Sequence, residues 1–252
     1  MRDKGKKNDG LDLAWLLLRA NNEFRMDVNE ACEKIEKAHN SHITLGGVRF
    51  TKYKKEDEVL RGKWGVLNTP SSQDLTGHNV FWDPSLSTKS IEAKTCNCSG
   101  LSLSDISCLP HVNITGAIFE RSGKCMIKII YGFKFYQLVL ARLEEIDHSK
   151  TIQLCLPMAE GVLTKINVAQ SLWQILKDKN NKIINENPSA KESLLIARSI
   201  EEGASHKEIA TRLFGAESVN KNWTPDGWMR ARTRYSIKKT KGLIQGGYRK
   251  LI

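Results

Sequence analysis

Apolar residues near the end of the chain recur with the period of an α-helix. Between Trp228 and Ile244, one stripe of a helix would carry Met229, Thr233, Ile237, Thr240 and Ile244. A second row, spaced 4, 4 and 3 residues apart, consists of Arg230, Arg234, Lys238 and Lys241. Residues at these spacings share a helical face. The pattern predicts a helix with one buried and one basic side, and Pro225 suits its first turn.

Two shorter helices with terminal signals precede this basic helix. Ser189 is a candidate cap for the first, and Ser205 forms a capping-box pair with Glu208 at the start of the second. The residues between the second helix and the basic helix are predicted to be a connection. This order predicts a helix-turn-helix-like domain over residues 189–252, which a polar linker at 181–188 joins to the rest of the chain.

The beginning of the chain is predicted to be helical. Residues 1–10 have the composition of a basic tail. Asp12 can cap a short apolar helix over 13–18, and a second, amphipathic helix covers roughly residues 23–38. We interpret these two helices as a helical hairpin that packs on the rest of the protein or on another subunit.

From residue 43 to residue 157 the pattern changes to short apolar runs separated by turn residues, which favours strands. Strands are predicted at 48–50, 115–119, 126–131, 133–143 and 151–156. Residues 84–113 are predicted to be loop with short strands, and 163–178 a helix. The fold class is therefore α+β. A helical hairpin and a small antiparallel sheet would form a scaffold and oligomerisation domain at 11–180, ahead of the helix-turn-helix-like domain.

The charge of the chain favours a polyanionic partner. The 252 residues carry a formal net charge of +11, with a pI of about 9.4. The segment from Lys221 to Ile252 holds nine Lys or Arg and one acid, so it supplies +8 of that surplus. Nucleic acid is the first partner that such clustering predicts, ahead of a membrane surface. With no leader and no apolar run long enough for a span, we expect a cytoplasmic protein without a membrane partner.

Signatures of catalysis are missing from the sequence. It contains no nucleophile elbow, phosphate-binding loop or zinc-protease motif, so we predict a protein that is not an enzyme and holds no cofactor. Cys96, Cys98, Cys108 and His111 have the side chains of a zinc site. The Cys-x-Cys spacing is atypical of such sites, however. We therefore interpret the six cysteines as reduced thiols and predict no metal.

The cations of the basic helix are the predicted DNA contacts. Arg matches guanine O6 and N7, so the residues near the start of the helix are the candidate base readers: Arg230, Arg232 and Arg234. The candidate phosphate contacts further along are Lys238, Lys239 and Lys241. Cations predicted to touch the flanking DNA are Arg198, Lys207, Arg212 and Arg249. In this interpretation the basic helix enters the major groove.

Several stretches resemble a known bacterial family. They are WLLLRANNEFR at 15–25, VFW at 80–82, GASHKEIATRLFGAESV at 203–219, WTPDGW at 223–228 and the basic stretch from 230 to 252. This order is similar to that of the RovC-like transcriptional regulators of type VI secretion genes. Asn22 departs from the proline that this family often has there.

The resemblance implies a sequence-specific regulator of virulence-type genes, more plausibly an activator than a repressor. Its partners would be double-stranded promoter DNA, further copies of itself in an oligomer built from dimers, and RNA polymerase. The residues leave two other classes open: an architectural DNA- or RNA-binding protein that contacts only the backbone, and an accessory factor of a mobile element.

Overall fold

The computed structural model describes residues 11–34, 41–69, 76–140, 142, 146–177 and 187–252. The predicted basic tail at 1–10 and most of the predicted linker, 181–186, lie outside the described residues. The chain divides into two compact units. The sheet unit contains Asp12, the described residues from Asp27 to Lys177, and Ile252. The helical unit contains Leu13–Met26 and the described residues up to Leu251.

A seven-stranded sheet is the centre of the sheet unit in the part of the chain that the structure describes. Its strands, in chain order, are β1 (His42–Leu45), β2 (Val48–Tyr53), β3 (Ser90–Cys96), β4 (Asn113–Phe119), β5 (Lys124–Tyr131), β6 (Lys134–Leu140) and β7 (Thr151–Cys155). Their spatial order is β1-β2-β4-β5-β6-β3-β7. The contacts β2–β4 and β3–β6 are parallel, and the other four are antiparallel.

The small, mostly antiparallel sheet of the prediction differs from the observed one in size and in two of its contacts. The sheet has seven strands among the described residues, and two of its six contacts are parallel. β3 lies within the segment predicted to be loop with short strands. Turn residues mark antiparallel neighbours such as β4 and β5, because a hairpin is a local structure. Parallel neighbours are joined by long crossovers that leave no local signal. The bounds of β3 were not predicted, because the alternation of buried Ile91 and Ala93 with exposed Glu92 and Lys94 is short and lies in a segment rich in Ser, Thr and Asn.

Both faces of the sheet are covered around β5. On one face, Ile127 and Ile129 pack in a cluster with Leu172 of α5 (Val162–Lys177) and with residues of α4 (Leu103–Ser107). On the other face, Met126 packs with Leu67 and Phe81. The remaining helix of this unit, α3 (Glu58–Trp64), begins at the side-chain cap of Asp57 and ends at a left-handed glycine. The predicted helix at 163–178 is confirmed as α5, whereas α3 and α4 were not predicted.

A buried ion pair lies within this sheet unit. Lys128, in the middle of β5, is fully buried, and its Nζ donates to Asp12 Oδ2 at 2.6 Å. The same ammonium donates to the carbonyl oxygens of Gly77 and Val80 at 2.8 and 2.6 Å. Trp82 Nε1 donates to Asp12 Oδ2 at 2.8 Å. The charges are therefore paired and hydrogen-bonded, as burial requires.

The helical unit consists of short helices around two small apolar clusters. Its helices are α1 (Leu13–Arg19), the start of α2 (Asn22–Lys34), α6 (Pro188–Glu201), α7 (His206–Phe214), α8 (Ala216–Asn222), α9 (Trp228–Ile244) and a 3-10 helix (Gly247–Leu251). One cluster joins Ile196, Ile209 and Ile237 of α6, α7 and α9. The other joins Ala210, Val219 and Met229 of α7, α8 and α9. The small side chain of Ala210 is fully buried, as close helix packing requires.

Helix α1 packs on α6, α9 and the 3-10 helix. Leu17 and Leu18 are fully buried, and Asn21 Nδ2 donates to the Ile244 carbonyl oxygen at 3.2 Å. The predicted boundary of a scaffold domain at 11–180 therefore differs from the compact units, because residues 13–26 cluster with the carboxy-terminal helices. Such contacts between distant segments leave no trace in periodicity. Helix α2 covers Asn22–Lys34, and the end of the helix predicted at 23–38 lies outside the described residues.

The helix ends of this unit agree with the prediction in part. The capping box of Ser205 and Glu208 is confirmed at the start of α7, and hydrogen bonds from Ser205 hold the pKa of the Glu208 carboxyl below its ordinary value. Ser189 is not the cap of α6, because Asn187 accepts from Ala190 N and Pro188 is the first helical residue. Pro225 likewise precedes α9, whose cap position is Gly227.

Candidate nucleic-acid interface

Helix α9 is held to the helical unit by the stripe that the sequence predicts. Met229, Thr233 and Ile237 are buried, as are Thr240 and Ile244 further along. The Thr233 hydroxyl donates to the Met229 carbonyl oxygen at 2.8 Å, so its burial leaves no unpaired donor. The opposite side of α9 therefore faces away from the apolar clusters of this unit.

One edge of α9 contacts α6. Arg232 Nη2 lies 3.3 Å from Glu192 Oε2, and Ser236 Oγ donates to Glu192 Oε1 at 2.5 Å. Further along, Lys239 Nζ donates to Ser189 Oγ at 3.3 Å. The Arg232 side chain is still about half exposed. Two of the predicted DNA contacts thus also link α9 to the start of α6, a role that the sequence did not reveal.

The exposed side of α9, away from this contact with α6, carries further predicted contact residues. Arg234, Lys238 and Lys241 are exposed, and none forms a hydrogen bond or ion pair within the described ranges. Arg230 is half-buried and donates to the Pro225 carbonyl oxygen at 3.3 Å. An unpaired surface cation retains its full charge for a polyanion. The structure therefore brings three of the predicted contact residues together on one accessible side.

The predicted flanking cations differ in their surroundings. Arg198 and Lys207 are exposed. Arg212 Nη1 donates to Ser199 Oγ at 2.9 Å and to Glu202 Oε2 at 2.5 Å, so it ties α7 to the end of α6. Burial raises the pKa of the Tyr248 hydroxyl, and a hydrogen bond with Arg249 partly opposes that shift. Arg212 and Arg249 therefore have structural partners, whereas Arg198 and Lys207 project from the surface.

Two exposed aromatic residues on α9 were missed at the sequence level. Trp228 is 61 % exposed and Tyr235 is 62 % exposed. The Trp228 ring meets Phe214 edge-on, with the ring centroids 6.0 Å apart. Large aromatic side chains are usually buried, so two on the open side of one helix are notable. The sequence could have indicated their exposure, because they are seven residues apart and both fall on the side of the helix away from the apolar stripe.

The cysteine cluster does not form the zinc site that its residue types suggest. Cys96 and Cys98 are joined in a disulfide, which corrects the prediction that all six cysteines are reduced thiols. His111 is buried, with Nε2 3.0 Å from the Ile175 carbonyl oxygen. Among the described residues, no three His, Cys, Asp or Glu side chains converge as metal ligands would. In the same ranges, no helix combines the length and apolar character needed to cross a bilayer.

The elements just described define a class of domain. The capped helices α6 and α7 and the short helix α8, which forms where a connection was predicted, precede the basic helix α9. A helical domain that exposes a row of cations on one helix has the features of a nucleic-acid-binding domain.

Comparison with known proteins finds a family that the carboxy-terminal part of the chain resembles. Residues 155–252 match the model of the RovC DNA-binding domain, described as the DNA-binding domain of a type VI secretion transcription factor. The predicted resemblance to RovC-like regulators is confirmed over this segment. No curated protein matches the chain.

Proposed function

We propose that this protein is a sequence-specific transcriptional regulator that lays α9 in the major groove of promoter DNA. The observation that carries this proposal is the accessible side of α9, where Arg234, Lys238 and Lys241 have no partner within the described ranges. The 17 residues of α9 extend about 25 Å. A helix with its side chains is about 10–12 Å in diameter, so α9 can lie along the major groove, which is about 12 Å wide.

The cations of the helical unit would divide into three sets. Arg230 and Arg234 are the proposed guanine readers, since the guanidinium fork matches O6 and N7. Phosphate contacts would come from Lys238, Lys239 and Lys241, and Arg232 would serve with them beside its bond to Glu192. The residues proposed to touch the flanking backbone are Arg198, Lys207, Arg212 and Arg249.

Activation and self-association are proposed from the resemblance to the family rather than from the fold. The family model describes a transcription factor of type VI secretion, so we propose that the chain activates genes of that kind with RNA polymerase as a partner. A homo-oligomer built from dimers would place two α9 helices about 34 Å apart, one turn of the double helix. The paired sites would then bind with an avidity beyond that of one subunit.

Salt-dependent DNA binding by the full chain tests the proposal. The affinity for duplex DNA is measured by fluorescence anisotropy at several salt concentrations. Lys241→Ala is expected to weaken binding to all duplexes and to lower the slope of log K against log salt by about one unit. Arg234→Ala is expected to cost about 1–3 kcal/mol on a selected site. Lys55→Ala removes an exposed lysine of the sheet unit and is the matched control.

Three results would contradict the proposal in different ways. An unchanged slope for Lys241→Ala would remove α9 from the interface. Equal affinity for every duplex sequence at physiological salt would favour an architectural protein that contacts only the DNA or RNA backbone. Metal-dependent nicking of supercoiled DNA would favour an accessory factor of a mobile element.

A further inference from the structure

The middle of the exposed side of α9 is formed by a row that combines small, aromatic and basic residues. Ala231, Tyr235, Lys238 and Gly242 are spaced 4, 3 and 4 residues apart, and all four are exposed. The row lies opposite the buried stripe of the helix. On one side of it are Arg234 and Lys241, and on the other are Arg232 and Lys239, each pair separated by two helical turns. Arg234 and Lys241 therefore form one cationic edge and Arg232 and Lys239 the other, with the central row and its Lys238 between them.

We infer that Tyr235 is a sequence-reading residue of this protein, placed against the base edges beside the guanine reader Arg234. Lys241 on one edge and Lys239 on the other then contact the two phosphate backbones. The inference rests on the proposed function, because it requires α9 to lie in the major groove. A helix with its side chains is about 10–12 Å in diameter, close to the width of that groove. Its edges then meet the backbones, and its central row meets the floor of the groove.

The chemistry of Tyr235 suits this position. Its side chain is 62 % exposed, and its hydroxyl forms no hydrogen bond within the part of the chain that the structure describes. A phenol can donate and accept a hydrogen bond, and its ring offers an apolar surface to a thymine methyl group, the contact that marks an A·T pair in the major groove. Trp228, held edge-on by Phe214, lies two turns earlier and would extend the same aromatic surface.

Gly242 provides an independent reason to place this row close to a partner. It lies inside α9, where glycine is less stable than alanine by about 0.5–1 kcal/mol. A Cβ atom at this position would meet nothing within 4 Å, so packing within the protein does not require a glycine. A helix backbone that approaches DNA closely does require a small residue. Ala231, at the other end of the row, leaves the same kind of space.

The test is a selection of duplexes from a random-sequence pool by the full chain. The wild type is expected to enrich a consensus. Tyr235→Ala should lose about 5- to 100-fold of the preference for that consensus over random DNA, the equivalent of one good base contact. Its affinity for random DNA and its salt slope should match the wild type. Tyr235→Phe keeps the ring and removes the hydroxyl, so it shows which of the two makes the base contact. Trp173→Ala, which removes an exposed aromatic residue of the sheet unit, is the control.

Each outcome decides a different point. A wild type that binds duplexes but enriches no consensus would overturn the proposed function as well as this inference. If the wild type enriches a consensus and Tyr235→Ala shows the same preference for it over random DNA, this inference alone would be overturned. Equal losses on consensus and random DNA would make Tyr235 a general contact rather than a reader.

Gly242 gives a second variant pair. Gly242→Ala should raise the melting temperature, whereas Gly242→Leu should weaken binding to all duplexes at least tenfold while the protein remains folded. If Gly242→Leu binds DNA like the wild type, the central row does not approach the groove.

Discussion

Lys128 is a buried charged residue whose desolvation cost is offset by an ion pair and hydrogen bonds. Its ammonium donates to Asp12 and to two carbonyl oxygens with no exposure to solvent. Lys128→Met should lower the free energy of unfolding of the sheet unit by about 3–5 kcal/mol, because Asp12 would be left as a buried charge without its cation. Urea denaturation followed by circular dichroism measures the loss.

The same strand offers a matched control. Lys124 lies 3.0 Å from Glu56 in a partly exposed ion pair, and Lys124→Met should cost at most about 1 kcal/mol. Similar losses for the two variants would mean that burial adds nothing to the importance of Lys128. The sequence does not reveal this pair, since Asp12 is far from Lys128 along the chain.

The burial of each cysteine is expected to determine the reactivity of its thiol. Burial raises the pKa of the Cys125 thiol to about 12, whereas Cys108 is exposed. A thiol with a raised pKa stays protonated, and therefore unreactive, until the pH approaches that value. Iodoacetamide at pH 8 should thus modify Cys108 and spare Cys125 in the native protein, as read by peptide mass spectrometry. Rapid labelling of Cys125 without denaturant would contradict its burial.

At the scale of elements, the capping box of α7 is the best test of how local sequence determines a helix. Ser205 Oγ accepts from Glu208 N, and the Glu208 carboxylate accepts from Ser205 N. Ser205→Ala should cost about 0.5–2 kcal/mol of stability. Ser189→Ala is the control, because Ser189 was predicted to cap α6 but only accepts from Lys239 at its hydroxyl. Equal losses in thermal unfolding would restore Ser189 as a cap.

Elements with their own local signals were predictable. The buried stripe of α9, the capping box of α7 and the hairpin of β4 with β5 follow from residues close together in sequence. The short helix α3 was missed because seven residues, with Gly62 among them, give too little periodicity. Within the interface, charge alone drew attention to the cations. Contacts such as those of Arg232 with Glu192 and of Arg212 with Glu202 showed which cations were already engaged.

At the scale of the whole molecule, the helical unit depends on a segment from the beginning of the chain. Leu17 of α1 is fully buried, and α1 packs on α6 and α9. Leu17→Ala should destabilise the helical unit by about 2–5 kcal/mol. Hydrogen exchange by mass spectrometry should show faster exchange in α6 and α9 and unchanged protection in β5. Met26→Ala, at a position 65 % exposed, should change neither. Uniform loss of protection in both units would mean that they unfold as one.

Because of α1, the segment that matches the family model differs from the compact helical unit. The match runs without interruption from residue 155 to residue 252. The compact unit includes Leu13–Met26 and omits α5. A graft of residues 155–252 onto another protein would carry α9 but would expose the surface that α1 covers on α6, α9 and the 3-10 helix. A transplant that keeps its solubility would have to bring α1 along, most simply by circular permutation that fuses it to one end of the helical unit.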